Sequence, residues 1–241
     1  VAAGGAGFGL LCDGRLGRAA LHRAAGRGLW IGRPAEWPGS RPLSLEPDLG
    51  PDCGGLDEWP EEQVVKVLCF CHPDDDAETW EAQLATVDRL FTAARRGGLE
   101  FLLEIIPSKV GPVDDATTAA LIERFYARGV YPDWWKLEPQ ESDASWEAIT
   151  QAIDRHDRHC RGVVVLGLDA PEDELIAKLG RAARHRVVKG FAVGRTLWGA
   201  AARAWMAGEI DDATAVDEMS RNYARLVAVW DDARARSRGE P

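Results

Sequence analysis

The chain has 241 residues, 46% of them hydrophobic, enough for one large domain with a substantial core. Its 29 Lys and Arg against 39 Asp and Glu give a net charge of −10, which argues against general nucleic-acid binding but leaves room for a small anion held by a few local cations. No apolar run approaches the roughly 20 residues that span a bilayer, and the glycine-rich start, Val1 to Gly9, lacks the basic and apolar segments of a secretory signal.

In chain order, apolar runs of strand length fall at Gly9–Cys12, Gly28–Ile31, Val64–Phe70, Leu99–Ile106, Val130–Leu137, Gly162–Leu168 and Val187–Val193. A long loop rich in Pro, Gly and Asp covers Pro34 to Pro60. Helical spacing of apolar residues marks Asp76–Arg96, which stops at Gly97-Gly98, and Asp114–Arg128, which stops at Gly129. Further helices are expected over Ser145–His159, Pro171–His185, Thr196–Ala207 and Asp211 to about Arg236. From the third strand on, the repeat is roughly 25–37 residues, the size of a βα unit. Near-continuous apolar strands alternating with helices imply a parallel sheet covered on both faces. No glycine-rich loop joins a strand to a helix in the nucleotide-binding manner, since Gly4-Gly5-Ala6-Gly7-Phe8-Gly9 precedes its strand; this favours a barrel over an open sheet. The five cysteines, Cys12, Cys53, Cys69, Cys71 and Cys160, read as reduced thiols of a cytoplasmic protein. Cys69-Phe70-Cys71-His72 lacks a second ligand pair at any usual spacing, so no metal site and no cofactor are expected.

Three strands carry a charge where an apolar residue belongs: Lys66 in Val64-Val65-Lys66-Val67-Leu68, Glu104 in Leu103-Glu104-Ile105-Ile106, and Lys136 in Trp134-Trp135-Lys136-Leu137-Glu138-Pro139. Each alone reads equally as a satisfied ion pair or an edge position. An unpaired buried charge costs several kcal/mol, so the three are expected to face one another inside a barrel, near the C-terminal ends of neighbouring strands. A lysine next to a second ammonium in an apolar cup loses its proton more easily and becomes a nucleophile toward carbonyls, and a carboxylate beside it can move protons. Glu138, two residues after Lys136, is expected on the same face. Gly190-Phe191-Ala192-Val193-Gly194-Arg195-Thr196 ends a strand and opens a helix, so Gly194 and Arg195 form a candidate phosphate site, with Gly167 in the neighbouring Leu166-Gly167-Leu168-Asp169 loop. A structural Gly-Arg turn is the equally weighted alternative.

These runs resemble the domain fused behind 5-dehydro-2-deoxygluconokinase in bacterial inositol catabolism, a domain similar to the class I tagatose-1,6-bisphosphate aldolases. The resemblance rests on Val65-Lys66-Val67-Leu68, Leu103-Glu104-Ile105-Ile106, Pro132 to Pro139, Lys189 to Thr196, and Ile31-Gly32-Arg33-Pro34-Ala35-Glu36, and covers nearly the whole chain. It implies a single TIM (β/α)8-type barrel domain over 1–241, here lacking its first βα unit, because only seven strands are counted. It also implies cleavage of a phosphorylated keto-sugar acid, 6-phospho-5-dehydro-2-deoxygluconate, to dihydroxyacetone phosphate and malonate semialdehyde. In that scheme Lys136 forms the Schiff base, Lys66 is the second lysine, Glu104 handles protons, and Gly194 and Arg195 hold phosphate. Asp13, Arg33, Glu36, Gly167 and Glu138 line the substrate. A sugar kinase, fused or associated, and a second copy of the chain are the protein partners the scheme leaves open; a nucleic acid or membrane partner is not expected. Two other readings stay open: a non-catalytic sugar-phosphate-binding or regulatory domain, and a barrel lyase or isomerase using lysine as a general acid.

Overall fold

The computed structural model describes residues 7–167 and 171–238. Seven strands, β1 (Gly9–Leu11), β2 (Trp30–Pro34), β3 (Gln63–Cys69), β4 (Phe101–Ile105), β5 (Trp134–Leu137), β6 (Gly162–Leu166) and β7 (Val188–Ala192), pair in parallel and in chain order. Seven α-helices among the described residues connect them, with none between β2 and β3 and two after β7: α1 (Arg18–Ala24), α2 (Ala77–Arg96), α3 (Thr117–Ala127), α4 (Asp143–His156), α5 (Glu172–Ala182), α6 (Arg195–Met206) and α7 (Asp212–Arg238). The result is a nearly closed α/β barrel. Among the described residues no ladder joins β7 to β1. There Tyr223 of α7 packs its ring against Phe8, at the foot of β1, and against Phe191 of β7, with centroids 5.6 and 6.3 Å apart.

Strand alternation divides the apolar residues between two cores. Val65, Val67, Phe101, Leu103, Ile105 and Trp135 face outward and pack on Leu84, Val87 and Leu90 of α2, Leu121 and Phe125 of α3, and Ile149 of α4. Trp135 is fully buried and its indole N–H donates to Tyr126 Oη at 3.0 Å, so the ring loses no hydrogen bond on burial. Truncating a ring buried this way costs about 3–5 kcal/mol. The other face points into the barrel. Its N-terminal end is filled by Trp30 and Trp134, edge to face at 6.0 Å, with the Trp134 indole N–H donating to Glu100.

The helices begin and end where the sequence supplies caps. Asp76 accepts from the Thr79 N–H at 2.8 Å, and Ser142 from the Ser145 N–H at 3.0 Å. Gly98 (φ +69°) and Gly129 (φ +83°) turn the chain out of α2 and α3. Leu99 and Val130, expected at strand starts, donate back to Ala94 and Phe125 instead, closing these helix ends as the apolar residue after the glycine. The fifth strand therefore starts at Trp134, four residues later than expected. The second strand shifts in the same direction, to Trp30–Pro34, which carries Arg33 and Pro34 into the sheet. The short α1 was not anticipated; only Leu21 and Ala24 are buried on it, too few to leave a helical period. In the long loop, two 3-10 turns, a Glu36–Leu45 bridge, and buried Leu43, Leu49 and Leu56 tie the chain down.

Candidate active site

The register of β3, β4 and β5 decides what meets inside the barrel. Lys66 pairs with Leu102, and Glu104 pairs with Lys136. Lys66 and Glu104 thus sit on the same inward face, one row apart. Pro34 pairs with Lys66, and the Ala35 N–H donates to the Lys66 carbonyl at 2.8 Å, so Glu36 arrives beside the Lys66 side chain. The four groups form one chain of alternating sign. Lys66 Nζ donates to Glu36 Oε1 and lies 2.7 Å from Glu104 Oε2. Lys136 Nζ donates to Glu104 Oε1. All four residues are buried.

Their acidities separate by position in that chain. Burial works against charge on Lys66, but Glu104 and Glu36 outweigh it and hold the ammonium above its ordinary range. Burial likewise opposes charge on Glu104, yet Lys66 and Lys136 hold its carboxyl below the usual range. At the ends the balance reverses. Burial pushes Lys136 down, and repulsion from Lys66 adds to it, more than Glu104 restores. Burial pushes Glu36 up despite its bond to Lys66. A buried lysine shifted toward its neutral form is better suited than a free one to act as an amine nucleophile.

The inward row of Lys136 continues through Val164 to Gly190. A Cβ placed on Gly190 meets nothing within 4 Å among the described residues, so this row has open space at β7, one strand beyond Val164. Beyond it, Gly194 caps α6 without a side-chain bond, and Arg195 is the first residue of that helix. The first turn of α6 follows the C-terminal end of β7, the end of the barrel at which the side chains after β5 also lie. Residues 168–169 of the expected neighbouring loop lie outside the described residues.

Other expected pocket residues are placed elsewhere. Lys136 and Glu138 share no bond: β5 ends at Leu137, and Glu138 accepts from the N–H and hydroxyl of Ser108. Glu138 and Gly167 line a rim cavity of about 470 Å³ with Ser108, Thr118, Gln140 and Lys178, outside the lysine cluster. Gly167 is there for packing, since a Cβ would sit 3.0 Å from Val193. Asp13 accepts from the N–H groups of Arg15 and Leu16 and so caps the turn after β1. Arg33 shares the helix-facing side of β2 with Ile31; its guanidinium stacks over Trp59 at 4.0 Å and packs against the Gly14 backbone. Only Trp134 shares the inward face of Lys136; Trp135 faces the helices. Cys69 and Cys71 belong to the helix-facing core, and His72 Nε2 meets the Pro112 carbonyl at 2.8 Å. The residue whose role sequence reasoning missed is Glu36. Ending the second strand at Ile31 left it five residues out in a loop; with the strand running to Pro34 it lies two residues beyond the sheet, facing Lys66.

A seven-stranded parallel α/β barrel with a buried lysine–carboxylate cluster inside it defines the class of this protein: a TIM-type barrel. The chain belongs to the bacterial family described as "Uncharacterized protein conserved in bacteria (DUF2090)", whose profile matches residues 1–234. A search of curated protein sequences finds no match. Among solved structures it is similar to fructose-bisphosphate aldolase from Plasmodium falciparum, crystallised with TRAP and a small-molecule inhibitor, at 11% identity and a TM-score of 0.59, covering 91% of this chain and 72% of that one. It is also similar to Cgl0159 from Corynebacterium glutamicum, at 20% identity and a TM-score of 0.57, covering 89% and 70%. Fructose-bisphosphate aldolase from Slackia heliotrinireducens follows at 17% identity and 0.50, covering 84% and 70%. At these identities the likeness shows the fold, and function rests on the side chains. Among the described residues no helix is long and apolar enough to cross a membrane.

Proposed function

We propose that this protein is a Schiff-base aldolase acting on a phosphorylated keto-sugar acid, with 6-phospho-5-dehydro-2-deoxygluconate as the substrate implied by its strand motifs. The observation that supports this reading best is the pair of buried lysines sharing Glu104, with Lys136 shifted toward its neutral form. Lys136 adds to the substrate ketone and, after loss of water, leaves a protonated imine. The imine draws in the electron pair of the adjacent carbon–carbon bond as the hydroxyl on the departing carbon gives up its proton and becomes the aldehyde. Glu104, in contact with both lysines, is the carboxylate next to these transfers. Gly194, Arg195 and the first turn of α6 would hold the phosphate.

Borohydride reduction in the presence of the sugar phosphate, followed by mass spectrometry, is expected to tag Lys136, and Lys136→Ala is expected to lose both the tag and cleavage. A variant that cleaves as well as the parent ends the assignment. That β7 and β1 share no ladder among the described residues favours a second reading, a sugar-phosphate-binding domain without turnover; saturable binding with no product and no trapped imine would select it.

A further inference from the structure

We propose that Glu36 is the proton store of the lysine cluster: it takes up, through Lys66 and Glu104, the proton that Lys136 loses to become a nucleophile, and gives it back when water leaves. This rests on the imine reading of Lys136. Glu36 acts through other side chains, so it is a positioning residue and not a catalytic one.

Three observations carry the inference. The four groups form an unbroken relay, Lys136–Glu104–Lys66–Glu36, in which each neighbouring pair shares a hydrogen bond or ion pair. Both oxygens of Glu104 are engaged by ammoniums, which hold it in its charged form. Glu36 is 7% exposed and uses only Oε1; its Oε2 is buried without a hydrogen-bond partner among the described residues. Buried carboxylate oxygens are seldom left so, and one at the end of a relay has a use as an acceptor. The acidities agree: the two middle groups are shifted toward their charged forms and the two end groups toward their neutral forms. The charged groups facing Glu36 are Lys66 from β3 and Glu104 from β4, with Lys136 from β5 behind them; from its own loop its bridge partner, Leu45, is apolar.

The cluster is electrically neutral with all four groups ionised. It is equally neutral with Lys136 and Glu36 both uncharged, so moving the proton leaves no net charge buried. In that step one N–H bond breaks at Lys136 and one O–H bond forms on Glu36, while Lys66 and Glu104 end as they began. The neutral amine then forms a bond to the substrate carbonyl carbon. The resulting carbinolamine expels its hydroxyl as water by taking the stored proton back along the same path, leaving the protonated imine.

Two forms of the cluster that differ only in where one proton sits have a ratio independent of pH. Labelling of Lys136 by 1-fluoro-2,4-dinitrobenzene, located by mass spectrometry without substrate, should therefore level off to a plateau as pH falls from about 9 to 6. In Glu36→Gln the plateau should vanish, the rate dropping about tenfold per pH unit. Glu36→Asp, which can still take a proton, should restore it. As a check that needs no variant, the wild-type protein should show the infrared carbonyl stretch of a protonated, buried carboxyl at neutral pH. A wild-type profile without a plateau, a plateau that survives in Glu36→Gln, or the absence of the carboxyl band each overturns the proposal. Because labelling needs no substrate, absence of a trapped imine in the wild-type protein would refute the aldolase reading by itself, leaving the proton store to be judged by the plateau.

Discussion

The arc from β3 to β5 and the seam between β7 and β1 are built in opposite ways from the same kind of strand. In the arc, adjacent strands pair along their length and bury three ionisable groups, joined by Glu36 from just beyond β2, with each charge met by its opposite. At the seam no ladder forms among the described residues, and an aromatic side chain from α7 fills the space instead. A hydrogen-bonded ladder holds its side chains to a fixed register, which a site that must set the distance between an amine and a carboxylate requires. A ring packed between two others has no such register. The reacting end of the proposed site lies on the arc, and the open interior at Gly190 lies toward the seam.

This contrast predicts unequal responses to substitution. Glu104→Gln should have the largest effect. It leaves two buried ammoniums short of a counter-charge, so urea unfolding at neutral pH should show a loss of about 3–5 kcal/mol, and turnover should fall by roughly 10²–10⁴-fold. The sign of the pH dependence follows from the depressed acidity of Glu104. Its folded value lies below its unfolded one, so its stabilisation is complete above the ordinary carboxylate range and is lost as pH falls through the folded value. The gap in stability between parent and Glu104→Gln should narrow steadily in acid; a gap that widens there would contradict the paired arrangement.

Tyr223→Ala should cost less, about 1–3 kcal/mol, because the ring is only partly buried and no ladder depends on it. Its distinctive signature should be faster amide exchange confined to Gly9–Leu11 and Val188–Ala192, with β3–β5 unchanged; exchange that rises equally in the arc would show that the two regions open as one unit. The smallest effect, about 0.5 kcal/mol, should come from Asp13→Ala, which removes exposed turn-capping bonds alone. A much larger loss of stability would mean that Asp13 supports more than the turn.

Lys66, Glu104 and Lys136 were legible because a charge inside an apolar strand is an anomaly that physical chemistry must resolve, and mutual pairing is the cheapest resolution. Glu36 was not legible as their fourth member. It stands outside a strand, in a polar loop, where a carboxylate raises no question, and only the extension of β2 to Pro34 brings it to Lys66. Glu138, expected as a pocket-lining group at the strand's C-terminal end, follows the last residue of β5, binds Ser108 and lines the rim cavity with Gly167. Arg33 and Asp13 carried charge at plausible strand ends, yet tertiary contacts use one to stack on Trp59 and the other to close a turn.

By itself the sequence determined the alternation of strand and helix, the parallel barrel, and three of the four ionisable groups at its centre. These depend on local periodicity and on the high cost of burying an isolated charge, both readable along one chain. The tertiary structure alone decided which rows of neighbouring strands coincide, that Glu104 serves two lysines at once, that Glu36 completes the relay with one oxygen left over, and that an aromatic ring stands at the seam. Those outcomes depend on register and on side chains far apart in sequence arriving within hydrogen-bond reach, a matter of three-dimensional packing that no pattern along a single strand encodes.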